Sequence, residues 1–473
     1  MRKLINLSWI LSSLLSASAF ASDSIPVVLP FAVYLGYVKQ FHPVSKQANL
    51  ANEIAGLERR KARGTFDALL HSDYTRKTYD GKLYYGYFDN YLKVPTWVGD
   101  LSAGFEDNTG IYQNPSDYTP EGGLGYIAYT LPIGQGILID YRRAAVKQAK
   151  LASQMGLVDR QKTLNKVLYE ASYAYWDWYF AYQKYNAIKS SQKIAQNNFN
   201  MVMASILSGD ASLIDSVEAS LLMYERTADL QQAETDLSNA RLLASNYIWD
   251  ENGQPREMVS ALVPSTDSAM LHVNEALSPQ FVENALPSHP DLNKMELKLR
   301  SLEIDRKLAR DYLLPNIDLT GKLLTTDFSS IPVNFNGDYI SNNNKIVLTI
   351  NQPLMIRKER AKFTETKLKI QQTNWEKQLL QYETSNQIKA AQNKLNNYLR
   401  NSETQQKATD NYVKVRDAEI TKYNVGEGNL LKINFYDSKT IDATLKNIKV
   451  KTEVYKAYCE LYYKSGKMME LED

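Results

Sequence analysis

The chain has 473 residues, enough for two or three ordinary domains, and with 44% hydrophobic and 23% charged residues it is not a disordered chain. Its 55 basic and 53 acidic residues nearly balance, which argues against a nucleic-acid partner. The single cysteine, Cys459, excludes an internal disulfide, and its place on a helical seam points to buried packing.

Residues 1–21 read as a secretory signal. Arg2 and Lys3 form the basic region, residues 4–15 the apolar core, and Ala19-Phe20-Ala21 a small-x-small cleavage site. That core is too short to span a bilayer, and no other apolar run reaches the length of a transmembrane helix. No cysteine follows the signal, so lipid attachment is not expected there. Losing Arg2 and Lys3 leaves a net charge near zero. Residues 22–40 are apolar but short and receive no assignment. The 32 tyrosines suggest strand surfaces or interfacial girdles.

From Pro132 to Pro255 there is no intervening proline, which permits very long helices. A heptad seam runs through Leu164, Leu168, Ala171, Tyr175, Trp178, Tyr182 and Tyr185, with the 3.5-residue period of a left-handed coil. It breaks at Ser208-Gly209-Asp210, where glycine suits a helix C-cap and Asp210 or Ser212 can cap the next helix. A second seam follows through Leu230, Ala233, Leu237, Ala240, Ala244 and Tyr247. Residues 143–249 thus read as a helical hairpin whose first arm is roughly 100 Å long at 1.5 Å per residue. No globular domain needs such a helix; a tube crossing the periplasm does.

The chain also repeats itself. Phe41-His42-Pro43, followed by Leu57-Glu58-Arg59-Arg60-Lys61-Ala62-Arg63, matches Ser288-His289-Pro290, followed by Ile304-Asp305-Arg306-Lys307-Leu308-Ala309-Arg310. Gly209 matches Gly426. The second half carries its own seam through Ile441, Leu445, Ile448, Thr452, Tyr455, Cys459 and Tyr462. The first repeat covers residues 22–249, with strands near 66–78 and 123–132. A proline-bearing segment, 250–287, is expected to pack around the helices. The second repeat covers 288–473, with strands near 315–328 and 345–353 and a hairpin over 356–466. Ile317, Leu319 and Leu323 share one face, and so do Ile346, Leu348 and Ile350; Asp318, Thr320 and Lys322 share the other. In the first copy Leu70 and Tyr74 oppose His71 and Asp73. Residues 108–122 and 329–344 read as exposed loops. Strands of this length suit a tilted outer-membrane barrel, but four cannot close one, so more than one chain is needed.

The duplicated His-Pro start, the strand-flanked prolines, the doubled long helix and the turns Gly209-Asp210-Ala211-Ser212-Leu213-Ile214-Asp215 and Tyr423-Asn424-Val425-Gly426-Glu427-Gly428-Asn429-Leu430 together resemble the TolC-like outer-membrane efflux proteins over the whole mature chain. The resemblance implies a mainly α fold with a β membrane part. A long α-helical periplasmic barrel would stand below a trimeric 12-stranded outer-membrane β-barrel, four strands per chain. It implies a homotrimer in outer-membrane lipid that works with a periplasmic adaptor (membrane fusion protein) and an inner-membrane pump. Adaptor docking falls on the tips: Gly209, Asp210 and Leu213, and Gly426, Glu427 and Leu430. Tyr423 matches the tyrosine that holds the periplasmic end shut, beside Asp215 and Lys432 at the pore entrance. Two positions depart from the family: Lys432 replaces an acid, and Gly428 replaces an arginine that helps the gate.

No chemistry of another kind is legible. His42, His71, His272 and His289 do not pair at helical spacing, so no metal site is expected, and no phosphate-cradling loop or other cofactor motif is present. The run YAYWDWYFAYQKY at residues 173–185 reads as helix-interface packing, with Asp177 facing lumen or solvent. The expectation is a passive, non-enzymatic channel-tunnel for tripartite efflux or type I secretion. The alternative is a structural periplasmic coiled coil or adhesion protein without a conduit, which would have no need of outward-facing Ile346, Leu348 and Ile350.

Overall fold

The computed structural model describes residues 27–209, 212–265, 273–326, 337–425 and 427–472. The expected signal lies outside the described residues, as do Asp210 and Gly426. The strands are β1 (Val27–Pro30), β2 (Leu69–Tyr79), β3 (Lys82–Pro95), β4 (Asp100–Thr109), β5 (Leu124–Pro132), β6 (Leu262–Ser265), β7 (Asn316–Thr325) and β8 (Asn344–Asn351). The helices are α1 (Phe31–Phe41), α2 (Pro43–Arg63), α3 (Tyr141–Leu207), α4 (Leu213–Ser245), α5 (Val273–Ala276), α6 (Pro279–Ser288), α7 (Pro290–Asp311), α8 (Gly337–Asn342), α9 (Arg357–Asn424) and α10 (Leu430–Lys464). α3 has 67 residues and α9 has 68, as the proline-free stretches allow. Among the described residues no helix is long and apolar enough to cross a membrane.

The chain divides into two compact units. One combines the described residues up to Leu50 with Val158–Asn293 and those from Leu379 on. Its core is aromatic. Tyr175, Trp176 and Trp178 of the run read as packing are all buried, and Trp176 stacks on Tyr455 at 4.3 Å between ring centroids. Phe31, Tyr34, Leu35 and Val38 of α1 fill the same core, which gives the unassigned segment 22–40 its role. Phe281, Val282 and Ala285 of α6 join them, so part of the inter-repeat segment packs on the helices. Tyr175 donates its hydroxyl to the Leu29 carbonyl (2.6 Å) and accepts the Ser265 N–H (2.9 Å), fastening the parallel pair β1–β6. Cys459 is buried, and burial pushes its thiol up to about 11. Asp177 forms an ion pair with Lys456 at 2.6 Å.

The repeated His-Pro pairs have a local cause in this unit. Each proline opens a helix, where its missing N–H costs nothing. Each histidine turns Nδ1 onto the N–H two residues on: Val44 to His42 and Asp291 to His289, both at 3.3 Å. The imidazole thereby satisfies a donor that the first helical turn leaves without a partner. Desolvation by burial lowers the pKa of both histidines, which keeps Nδ1 an acceptor.

The second unit, Ala51–Leu157 with Lys294–Gln378, contains one antiparallel sheet in the order β2-β3-β4-β5-β7-β8. It has six strands, not four. The alternation that marks β2, β5, β7 and β8 is blurred in β3, where aromatic residues occupy both faces: Tyr85, Tyr87 and Tyr91 on one, Phe88 with Leu92 on the other. The turn joining β2 to β3 is Asp80-Gly81, both at positive φ (51° and 69°), as a two-residue hairpin turn demands. Below the sheet Asp140 accepts the Arg143 N–H at 2.8 Å, opening α3, and buried Arg143 donates to the carbonyls of Gly136 and Ile137. Asp311 accepts the Gly136 N–H at 2.6 Å, joining α7 to the same loop.

Candidate functional site

Two features are the candidates: the faces of the sheet and the turns of the two helical hairpins. Residues paired across antiparallel strands project on the same side, so the register assigns every face. One face reads Leu70 and Tyr74 on β2; Phe88 and Leu92 on β3; Leu101 and Phe105 on β4; Ile127 and Tyr129 on β5; Leu319 and Leu323 on β7; and Ile346, Leu348 and Ile350 on β8. These side chains are apolar yet largely open: Leu70 is 75% exposed, Ile346 72% and Ile350 60%. Tyr74, Phe88 and Phe105 form an aromatic row across three strands, each neighbouring pair of ring centroids 6.4 Å apart. Every strand from one edge to the other contributes apolar residues to this face, with Ser72, Arg76, Asn90 and Asp107 set among them, and an exposed apolar surface of that extent marks contact with lipid or protein.

The opposite face is polar. It carries His71 and Asp73, then Asp89, Tyr91 and Lys93, then Glu106, Tyr126, Asp318, Lys322 and Lys345. Its charges fall in rows of one sign, Asp73, Asp89 and Glu106 paired across β2, β3 and β4 and Lys322 with Lys345 across β7 and β8, with a few contacts between groups of opposite character. Lys93 meets Asp100 at 2.9 Å, the Tyr126 hydroxyl donates to Asp89 at 3.2 Å, and the Lys322 ammonium sits 4.1 Å from the Tyr126 ring centroid. The sheet therefore presents one oily and one wet surface, the pattern of a membrane barrel wall.

The first hairpin turn follows α3. Gly209 has φ +83°, the left-handed cap conformation that suits glycine. Ser212 caps α4: its hydroxyl accepts the Ile214 N–H while Asp215 accepts the Ser212 N–H at 2.9 Å. Asp215, expected at the pore entrance, is thus engaged in a capping box. Leu207, Leu213, Ile214 and Val217 are exposed around this turn.

In the second turn the Glu427 N–H donates to the Lys422 carbonyl at 3.0 Å, and the Asn429 side chain caps α10 through the Leu431 N–H at 2.8 Å. The backbone passes so close that a Cβ on Gly428 would lie 2.4 Å from the Tyr423 nitrogen. Sequence reading treated Gly428 only as a missing arginine; its structural role is to let the turn close on Tyr423. Tyr423, Val425, Leu431 and Phe435 are exposed, as is Lys432, whose charge helps lower the Glu419 pKa after the larger contribution of Lys422. Leu430 is the first residue of α10. The structure thus gathers Tyr423, Glu427, Leu430 and Lys432 at one turn and Gly209, Leu213 and Asp215 at the other.

No family model and no curated protein matches the sequence. Solved structures do. The open state of the Neisseria gonorrhoeae MtrE outer membrane channel is similar at TM-score 0.63 and 13% identity, over 95% of this chain and 93% of that one. The Campylobacter jejuni CmeC outer membrane channel is similar at TM-score 0.60 and 13% identity, over 92% and 85%. The outer membrane protein VceC of Vibrio cholerae is similar at TM-score 0.60 and 11% identity, over 92% and 96%. The chain has the fold of these outer-membrane channels. It is the fold implied by the resemblance to the TolC-like proteins, with a mostly helical body and a β part. Within that channel fold the sheet departs from the expected four strands. The missed strands, β3 and β4, had one sequence signal: the Asp80-Gly81 dipeptide before a tyrosine-rich run.

Proposed function

We propose that the protein is the outer-membrane channel-tunnel of a tripartite efflux or type I secretion system. Three copies form a barrel seated in outer-membrane lipid, and the long helical hairpins form a conduit in the periplasm. A periplasmic adaptor docks on the two turns, at Gly209, Asp210 and Leu213 and at Gly426, Glu427 and Leu430, whose exposed neighbours Ile214, Val217, Val425 and Leu431 offer apolar contact area. An inner-membrane pump supplies the energy and chooses the cargo; the chain conducts and catalyses nothing. Tyr423, Asp215 and Lys432 stand at the periplasmic entrance.

The observation that carries this reading is the apolar face of the sheet, exposed in the single chain and backed by a charged one. A coiled-coil spacer or adhesin has no use for such a face, whereas a barrel wall requires it. Fractionation on a sucrose gradient, followed by planar-bilayer recording of the purified protein, tests the proposal. Recovery with the outer membrane and discrete channel openings are expected. Recovery in the soluble periplasm would reject it.

A further inference from the structure

We propose that β2 of one copy pairs with β8 of the next, so that three six-stranded sheets close into an eighteen-stranded barrel rather than a twelve-stranded one. The inference rests on the trimeric channel reading above and adds its wall geometry and the surface through which copies join.

Three observations carry it. First, β2 and β8 are the two edge strands of a sheet in which every neighbouring pair is antiparallel. With six strands of alternating direction, the last runs opposite to the first, so β8 meets the next copy's β2 in the same antiparallel sense. Second, the apolar face does not stop at β4. Leu70 lies opposite Leu92 and Tyr74 opposite Phe88, so β2 and β3 carry the oily surface of their neighbours and a wet one with His71, Asp73, Asp89 and Lys93. A flap lying outside the membrane would need no such sidedness. Third, every residue of β2 is exposed, and all but one of β8 are. An open edge in hydrocarbon leaves backbone groups without partners, at several kcal/mol each. Strands of 11 and 14 residues in β2 and β3 are long enough to cross tilted, which takes about 9–11 residues.

The competing arrangement keeps only β4, β5, β7 and β8 in the wall. It would have to strip β3 from β4, breaking a register of ten residue pairs from Gly86↔Thr109 to Pro95↔Asp100. Barrel diameter grows roughly linearly with strand number, so eighteen strands give a wall about 1.5 times as wide as twelve. Barrels of 16–18 strands leave an aqueous channel open through their centre.

Cysteine pairs decide between the two walls. Cys459 can stay, being buried with a thiol that resists ionisation. One set of double variants places a cysteine on β2 (Ser72→Cys, Tyr74→Cys or Arg76→Cys) with one on β8 (Ile346→Cys, Leu348→Cys or Ile350→Cys), all on the apolar face. The second set replaces the β2 member by Leu101→Cys, Ala103→Cys or Phe105→Cys on β4. Outer-membrane protein is oxidised in situ, and its oligomeric state is measured in mild detergent before denaturing electrophoresis. Covalent trimers from the β2–β8 set alone are expected. Links from the β4–β8 set in an intact trimer would overturn the eighteen-stranded wall and leave the trimeric channel standing; a monomer in mild detergent would sink the channel reading itself. Hydrogen exchange on the unaltered trimer guards against variants that fail to assemble. Slow exchange at every β2 amide is expected, and fast exchange at alternate ones would mean an unpaired edge and overturn the proposal.

Discussion

At residue scale, the two His-Pro pairs show how a short motif can be structural and still respond to pH. The His289 imidazole is buried against Asp291, Lys162 and the Lys464 carbonyl, and its Nδ1 accepts an N–H. Its folded pKa is lowered, so the unfolded chain takes up the proton first as pH falls. The contribution is present above the unfolded value of about 6.5 and is lost as pH drops through the folded one. His289→Asn supplies an oxygen acceptor without a titration. Melting followed by circular dichroism should therefore depend less on pH between about 7.5 and 5 in this variant, with His42 and the raised carboxyls of Asp311 and Asp437 contributing to the slope that remains. The hairpin turns make a second prediction. Gly428→Val drives a branched side chain into the Tyr423 backbone and should speed exchange of the Glu427 amide while leaving trimer yield unchanged. Ser212→Ala removes only a cap and should cost about 1 kcal/mol, read as a lower melting temperature.

At the scale of elements, the two faces of one strand should answer oppositely to the same charge. Leu348→Arg puts a guanidinium on the apolar face, where it costs about 2–4 kcal/mol if the residue sits near mid-membrane. Thr349→Arg, one position on, points to the wet face and should be nearly silent. The heat stability of the trimer on semi-native gels measures both. What the sequence made legible divides along the same line. Proline-free stretches and 3.5-residue seams located α3, α4, α9 and α10 to within a few residues, because period and length reinforce each other over many turns. The strands with clean alternation were equally visible. β3 was not, because large aromatic residues serve on both faces and period-two contrast fades. β1 and α1 were unassigned for a different reason: Phe31, Tyr34, Leu35, Val38 and Phe41 do recur at helical spacing, but Ala32, Val33, Gly36 and Tyr37 between them are not charged, so the short segment lacks polar contrast. The hairpin turns were located by their glycines, but the closeness of Gly428 to Tyr423 depends on a backbone path that no residue pattern announces.

At the scale of the whole molecule, the proposed trimer would place charge at its entrance, where charge sets ion preference. Lys432 repeated by threefold symmetry would then give a positive ring, moderated within each chain by Glu419. Asp215 adds negative charge held in place by its capping bonds. The unaltered channel should show weak cation selectivity at most. Lys432→Asp should move the reversal potential toward cations under a salt gradient in planar bilayers; an unmoved potential would place Lys432 outside the pore. The wet face of the sheet carries three acids, Asp73, Asp89 and Glu106, in one row and three lysines, Lys93, Lys322 and Lys345, elsewhere, so it adds little net charge of its own.

The register between β5 and β7 also fixes an order of events. β2 to β5 follow one another in the chain and pair neighbour to neighbour, so they can form as soon as they are made. β5 must then wait for β7: Tyr126 meets Leu324 only after α3, α4, α6 and α7 have been synthesised. During that interval a four-stranded piece stands with both its edges, β2 and β5, bare, and bare strand edges are where nascent chains stick to the wrong partner. The loop to be closed is long, but its entropy grows only with the logarithm of its length, so the delay comes from waiting rather than from an added barrier. Pulse-labelling during refolding should accordingly find β3 and β4 amides protected before those of β7 and β8. Chains stopped after α4 should depend on periplasmic holding factors more than the finished protein does.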